Sequence, residues 1–341
     1  MTPVKRILSG IRPTGHIHLG NYLGAIRHWV RLASQSPLGQ QDQLFCIVDQ
    51  HALTTMQDAQ NLADNTRTIA AAYIASGIDP SKSSIFVQSH VPGHTELAWY
   101  LGCITPLGWL NRMTQFKDKA GKNQESALFG LYAYPVLMAA DILIYKATHV
   151  PVGADQKQHV ELARDIAGAF NNYCQKEVLV MPEPVIETKV ARIMSLRDGT
   201  KKMSKSEISD YSRIHLLDDP DTIVQKIRKA KTDAFPVPET LEDMDVRPEA
   251  KNLMTIYAAL TEQNTDDLCQ KFGGQSFSVF KQKLSDMLIE TLLPIQTHVR
   301  SLLRDKGALD SVLQQGAAVA NDLANQNLDD IRDALGMVKR G

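Results

Sequence analysis

Three stretches of the chain gather residue types that could do chemistry. "RDGTKKMSKS" sets Lys202 and Lys205 three positions apart, interleaved with Met203, Ser204 and Ser206, just past the turn Asp198-Gly199. Its ammonium groups, hydroxyls and backbone N–H groups could converge on a triphosphate. Neutralising the charge that builds on a transferring phosphoryl group is the largest catalytic contribution in such reactions. Losing one donor there costs about 3 kcal/mol, a hundredfold or more in rate. The competing reading is a solvated charged loop. "SGIRPTGHIHLGNYLGA" places Gly10, Gly15, Gly20 and Gly24 around His16, His18 and Asn21, where a strand should hand over to a helix. Glycines let a ligand come close to the backbone, and the first N–H groups of the helix make an anion site. The imidazoles and the Asn21 amide could hold the ribose and phosphoryl oxygens of a nucleotide. The plainer reading is a glycine-rich turn with Asn21 and Thr14 as caps. Neither GxGxxG nor GxxxxGK[ST] occurs, which sets aside the dinucleotide fingerprint and the P-loop.

In "YAYPVLMAADILIY", Tyr134, Met138 and Asp141 are spaced four and three apart and share one helix face. An aspartate in an apolar helix is costly unless paired. It bonds to a neighbouring loop or a lysine, or it accepts an N–H from a substrate at the bottom of an apolar pocket; indole offers one such donor. "HVPVGADQKQHVELARD" closes a β-type run with Gly153, Asp155 and Gln156 before a helix, where Asp155 could simply be a cap. Asp49-Gln50-His51 lies at the carboxyl end of a strand-like run, where parallel sheets bind ligands. "NRMTQFKDKAGKN" is a basic loop carrying Lys117, Lys119 and Lys122. Cys46, Cys103, Cys174 and Cys269 form no CxxC pair, and His51, His159 and Asp49 match no ligand spacing, so no protein-held metal is expected.

The elements that must position these residues alternate through the first half. "VKRILSG", "LFCIVDQHAL", "SSIFVQSHV" and "EVLVMPEPVI" read as strands. Between them run helical patterns: Leu23, Ile26, Val30 and Ala33 in one, and Leu62, Thr66, Ile69 and Tyr73 in another that stops at Gly77. This predicts a doubly wound, mostly parallel α/β sheet in residues 1–189, with a helix-rich insertion at about 95–145. From about 190 to 341 the periodicity is helical throughout, predicting a second, helical domain whose last helices could pack back on the sheet. The 341 residues suit two domains. A net charge of −1 gives no global pull toward nucleic acid, so any polyanion site must be local. "VKRILSGIRPTG" is too broken by charges, glycines and a proline for a signal peptide, and "LFGLYAYPVLMAADILIY" holds Pro135 and Asp141, unlike a membrane span. Four reduced thiols in a cytoplasmic protein are the expectation.

A "PxxGxxHxGN" turn after the first strand, followed by "KMSKS" roughly 180 residues later, resembles the signature pair of class I aminoacyl-tRNA synthetases. The first element here reads His18-Leu19-Gly20-Asn21, with Asn where the family usually has His, a choice typical of its tryptophanyl branch. The resemblance covers essentially the whole chain and implies a Rossmann-like sheet and a helical anticodon-binding domain. It implies ATP, L-tryptophan and tRNA(Trp) as substrates, Mg²⁺ carried on ATP, and a homodimer. His18, Asn21, Lys117 (with Lys119 the alternative), Lys202 and Lys205 would act on the phosphates. Arg12, Thr14, Gly20, Asn21, Gly153, Asp155, Met203 and Ser204 would surround ATP. Tyr134, Met138, Asp141 and Gln156 would hold the amino acid, with the aspartate reading the indole nitrogen. The family often has glutamine at Arg12, and tyrosyl enzymes usually carry glutamine at Met138. "QKIRKAK" (Lys226, Arg228, Lys229, Lys231) offers a strip for tRNA phosphates, with a solvated face as the competing reading. The rival functions are a tyrosyl-type synthetase, a small-molecule adenylyltransferase and a non-catalytic nucleotide- or tRNA-binding protein.

Overall fold

Five short apolar runs pair into one parallel sheet in the computed structural model, which describes residues 5–35, 39–55, 59–114, 128–186, 192–205 and 207–338. The strands are β1 (Ile7–Ile11), β2 (Gln43–Ile47), β3 (Ser84–Val87), β4 (His149–Pro151) and β5 (Glu183–Val185), in the order β3-β2-β1-β4-β5. β1 is central, with Ile7 opposite both Gln43 and His149. β2 and β3 are buried along their whole length, which is why their sequences run apolar without alternation. The order reverses between β1 and β4, and ligands bind beyond the carboxyl ends at such a switch point. Arg12 to Thr14 follow β1 there, and Gly153 follows β4.

Three expectations shift. The "LFCIVDQHAL" run leaves the sheet at Ile47, and Asp49–Ala52 forms a short helix instead. In "EVLVMPEPVI" only Glu183–Val185 is strand, because the Asn171 side chain takes the backbone N–H groups of Val178 and Leu179 at 3.0 and 2.9 Å. The helix after the glycine turn runs Leu19–Asn21, then a π-type turn Tyr22–Ile26, then Arg27–Gln35. The wider turn rotates the buried stripe, so Tyr22, Leu23, Ile26 and Trp29 go inside while Val30 and Ala33 stay half-buried.

The chain forms two compact units, and two segments cross the boundary near 190 expected from sequence. One unit holds Met1–Thr14, Leu32–Glu187 and Asp305–Gly341; the other holds Gly15–Arg31 and Thr188–Arg304. In the first, helices Gly93–Gly102, Phe129–Leu143, Lys157–Cys174 and Lys306–Ala334 share one core with β1, β2, β3 and β4. The last of these packs backbone to backbone on β3: a Cβ built at Gly316 would lie 2.1 Å from the Ile85 carbonyl oxygen. Arg67 pins the same helix through Asp310 with two 2.8 Å bonds. Gly316→Ala is therefore expected to destabilise the protein by about 1–3 kcal/mol in urea unfolding, since neither backbone can yield locally; an unchanged midpoint would refute this packing. The second unit contains helices Pro220–Arg228, Leu241–Asp245, Pro248–Thr261, Thr265–Phe272 and Phe277–Arg304. Its centre includes Tyr257, Phe272 and Phe280, with ring centroids 5.1 Å apart across the Tyr257–Phe272 and Phe272–Phe280 pairs.

Candidate active site

In the helical unit, His18 caps the helix that begins at Leu19. Its Nδ1 accepts the Asn21 N–H at 3.3 Å, and Asn21 Oδ1 accepts the His18 N–H at 3.2 Å. This reciprocal capping box gives the asparagine a structural task alongside any ligand contact. With Nδ1 engaged as an acceptor, a neutral His18 carries its proton on Nε2. Burial first, then the positive charges of Lys205, His215, Arg213 and Lys202, push the imidazole down to about 3. At neutral pH it is an uncharged ring with one N–H to offer an anion.

The sign of the pH effect follows. The unfolded chain protonates His18 below its ordinary value of 6.5, whereas the folded chain resists until about 3. Stability from this residue is full above 6.5 and is lost as the pH falls toward 3, at up to roughly 1.4 kcal/mol per pH unit. His18→Asn keeps a capping acceptor but cannot titrate, so its unfolding midpoint should fall less steeply between pH 6.5 and 4 than the parent's. Identical slopes would refute the assignment.

Lys202 to Lys205 of "KMSKS" are tied down beside this turn. Lys202 bridges to Met194, and Met203 N–H donates to the Ile193 carbonyl at 3.0 Å. Met203 is buried against Gly20, where an added Cβ would lie 3.5 Å from Met203 Cβ and 3.1 Å from the His18 ring. Met203 thus serves as an anchor, its side chain and N–H both engaged. Lys205 Nζ donates to the Gly15 carbonyl at 3.4 Å. Arg213 donates to the Ser204 carbonyl at 3.1 Å, and the buried Asn252 amide holds Met194 through bonds of 2.8 and 2.9 Å. The turn itself pairs with a later segment: Leu19 N–H donates to Ile214 O and Leu216 N–H to Ile17 O, each at 2.8 Å. His18, Gly20, Asn21, Met203 and Lys205 are therefore brought together, with Lys202 exposed at the edge.

In the sheet-bearing unit, the buried Asp141 is held by residues that sequence reasoning missed. Its Oδ1 accepts from Gln88 Nε2 at 2.7 Å and faces His94 Nδ1 at 2.6 Å; Oδ2 faces His51 Nε2 at 2.8 Å. Burial alone would raise this carboxyl, but His94 and His51 outweigh it and hold it below the usual carboxylate range. Gln88 also accepts the Gln50 and His51 N–H groups, at 3.1 and 3.4 Å. The only signal in the sequence was position: Gln88 directly follows the apolar residues Ile85-Phe86-Val87 of the run "SSIFVQSHV", and His94 comes six residues later.

On the same helix, the Tyr134 hydroxyl bonds His159 Nε2 at 2.9 Å, and its ring stands edge-on to His51 with centroids 6.0 Å apart. Burial pushes that hydroxyl up, against the opposing pull of Arg12. Met138 is partly buried against the core. Asp155 is exposed and accepts from Gln156 Nε2 at 3.2 Å, while Gln156 occupies the cap position of helix Lys157–Cys174. Arg12 is exposed and Thr14 half-buried beyond β1. Lys117, with Lys119, Lys122 and Ser206, lies outside the described residues.

The basic strip does not survive as a unit. Lys226 is buried and pairs with Asp218 at 2.7 Å and Asp210 at 2.8 Å, because it faces inward from its helix. Lys231 pairs with Glu249 at 2.7 Å, and Lys229 lies over the Tyr211 ring. Arg228 is exposed.

The family of class I tRNA synthetases for W and Y matches residues 2–292. That match spans both the tryptophan and the tyrosine branch. A tryptophan–tRNA ligase from Mesorhizobium japonicum is 50% identical over 352 residues, covering 98% of each chain. This chain belongs to the bacterial-type tryptophanyl-tRNA synthetases. The tryptophanyl-tRNA synthetase structure from Mycoplasma pneumoniae is 33% identical with a TM-score of 0.86, covering 98% of both chains. That from Campylobacter jejuni, complexed with ADP and tryptophan, is 33% identical with a TM-score of 0.82, covering 97% of this chain and all of the other. The fold is a Rossmann-like parallel sheet with a helical insertion and a C-terminal helical domain. The enzyme is an ATP-dependent tryptophan–tRNA ligase: it converts tryptophan and ATP to tryptophanyl-adenylate and pyrophosphate, then transfers the aminoacyl group to tRNA(Trp). The tyrosyl and adenylyltransferase readings are thereby set aside. Among the described residues no helix is long and apolar enough to cross a membrane.

Proposed function

We propose the following division of labour for this ligase. His18, through its Nε2–H, and Asn21 act at the α-phosphate and adenosine, while Lys202 and Lys205 hold the β and γ phosphates and stabilise the departing pyrophosphate. Lys117 assists, by the family resemblance. Gly153 and Asp155 serve the ATP ribose; Arg12, Thr14, Gly20 and Ser204 complete the nucleotide contacts. Tyr134 and Gln156 take the tryptophan ammonium, Met138 walls the ring, and Asp141 accepts the indole N–H. The tryptophan carboxylate attacks the α-phosphorus in line, and a ribose hydroxyl at the tRNA 3′ end then attacks the activated carbonyl. No covalent enzyme intermediate is needed, so positioning and electrostatics carry the rate.

The observation that carries this reading is the clamp joining His18 to "KMSKS": a neutral buried donor beside two lysines fits a polyphosphate. Among the described residues no three His, Cys, Asp or Glu side chains gather in a way that could hold an ion. In this reading Mg²⁺ travels on the triphosphate oxygens of the substrate. The helical region from about 190 to Arg304 binds the tRNA anticodon in this reading. A homodimer is supported by Trp99, Leu107, Leu128 and Phe129, large apolar side chains left exposed on or beside neighbouring helices of the sheet-bearing unit. Four free cysteines suit the cytoplasm.

ATP–pyrophosphate exchange run with each of the twenty amino acids tests the assignment of the pocket. Rapid exchange with tryptophan alone is expected; rapid exchange with tyrosine would overturn the role given to Asp141.

A further inference from the structure

Asp141 is proposed to accept one N–H from the substrate, yet three donors already face it. An ionised carboxylate has about four acceptor positions, two on each oxygen. Gln88 and His94 fill both on Oδ1, and His51 fills one on Oδ2. Among the described residues one position is left, on Oδ2, and indole has one N–H.

A carboxylate donates nothing, so the nitrogen of His94 that faces it must carry a hydrogen. That nitrogen is Nδ1, which leaves Nε2 of the neutral ring as an acceptor, and the Tyr145 hydroxyl lies 2.7 Å from it. Both His94 and Tyr145 are wholly buried. In the neutral ring Nε2 can accept the Tyr145 O–H, so that hydroxyl supports the Nδ1–H tautomer that Asp141 selects and holds the ring against the carboxylate. Phe86 packs on both rings, with centroids 6.3 Å from His94 and 5.7 Å from Tyr145.

We infer that His94 and Tyr145 are positioning residues for substrate selection: the chain from Tyr145 O–H through His94 to Asp141 Oδ1 locks the carboxylate so that Oδ2 alone is presented to the indole N–H. This rests on Asp141 reading the indole, as proposed above. Neither residue touches the substrate. Their effect is on discrimination between side chains that do and do not carry the N–H.

The test compares kcat/KM in pyrophosphate exchange for tryptophan and for β-(3-benzothienyl)alanine, in which sulfur replaces the indole N–H. A general loss of stability lowers both values and leaves their ratio alone. Asp141→Asn should collapse the ratio by a hundredfold or more; an unchanged ratio would sink the underlying reading of Asp141. His94→Asn puts an amide N–H where Nδ1 stands and should keep the ratio within about threefold, whereas His94→Gln puts it where Nε2 stands and should cut it roughly tenfold. Tyr145→Phe keeps the ring volume and so carries the test even if both His94 variants fail to fold; it should lower the ratio about threefold to tenfold. If Asp141→Asn collapses the ratio while Tyr145→Phe leaves it untouched, the relay is wrong and the indole reading stands. Equal ratios in the Asn and Gln variants of His94 would also overturn the relay.

Discussion

Replacing Lys205 with alanine is expected to slow tryptophan-dependent ATP–pyrophosphate exchange by a hundredfold or more, with the fold intact. The side chain is half-buried, and its bond to the Gly15 carbonyl, at 3.4 Å, is long. What the substitution removes is a positive charge placed beside a neutral imidazole donor. A charge that meets the departing pyrophosphate only as it forms contributes about 3 kcal/mol to the transition state, whatever it adds to binding. The loss should therefore appear mainly in kcat rather than in KM for ATP. A second readout comes from the same contact. Lys205 is the largest charged contributor, after burial, to the depression of His18, so the variant should let His18 protonate at higher pH. Circular dichroism and unfolding midpoints would confirm that the fold is unaltered. An exchange rate like the parent's would reject the phosphate role.

Much of this arrangement can be read from the chain because local signals and tertiary structure agree. The mostly apolar runs of β2 and β3 are buried on both faces, and the glycine turn after β1 does start a helix. Lys202 and Lys205 could be placed near phosphate by type and spacing. Their immobilisation could not, since it depends on Asn252 and Arg213, residues that look like ordinary surface polars in one dimension. Lys226 shows the converse error. In sequence it is one of the four cations Lys226, Arg228, Lys229 and Lys231 of a single short stretch; in space it turns inward to Asp210 and Asp218, and their charges compensate its burial. Gln88 and His94 stayed hidden for a related reason, because a polar residue at a strand end reads the same whether it faces water or a buried carboxylate. The last helix was ambiguous because amphipathic periodicity says that a face is covered without saying by what. Only the glycine at 316, which allows contact with the Ile85 backbone, points to the sheet, and a lone helical glycine is a weak sign on its own.

Asp141→Ala is expected to destabilise the sheet-bearing unit by about 3–5 kcal/mol in urea unfolding. Truncation leaves Gln88 Nε2, His94 Nδ1 and His51 Nε2 facing a cavity instead of a carboxylate, and each buried donor without an acceptor costs roughly 1–3 kcal/mol. Set against a total stability of about 5–15 kcal/mol, that is a third or more of what holds a typical domain folded. Asp141→Asn, which keeps the volume and one acceptor oxygen, should fall between the parent and the alanine variant. Both should lose tryptophan activation, by a hundredfold or more, because the acceptor for the indole N–H is altered or gone. The pH dependence has a definite sign. The folded carboxyl lies below its ordinary 3.8, so its stabilisation is complete above that value and is lost as the pH falls through the folded one. The parent should thus lose part of its advantage over Asp141→Ala on acidification below pH 3.8. An alanine variant as stable as the parent at pH 7 would mean that the three donors find other partners, and the case for a preset carboxylate would fail with it.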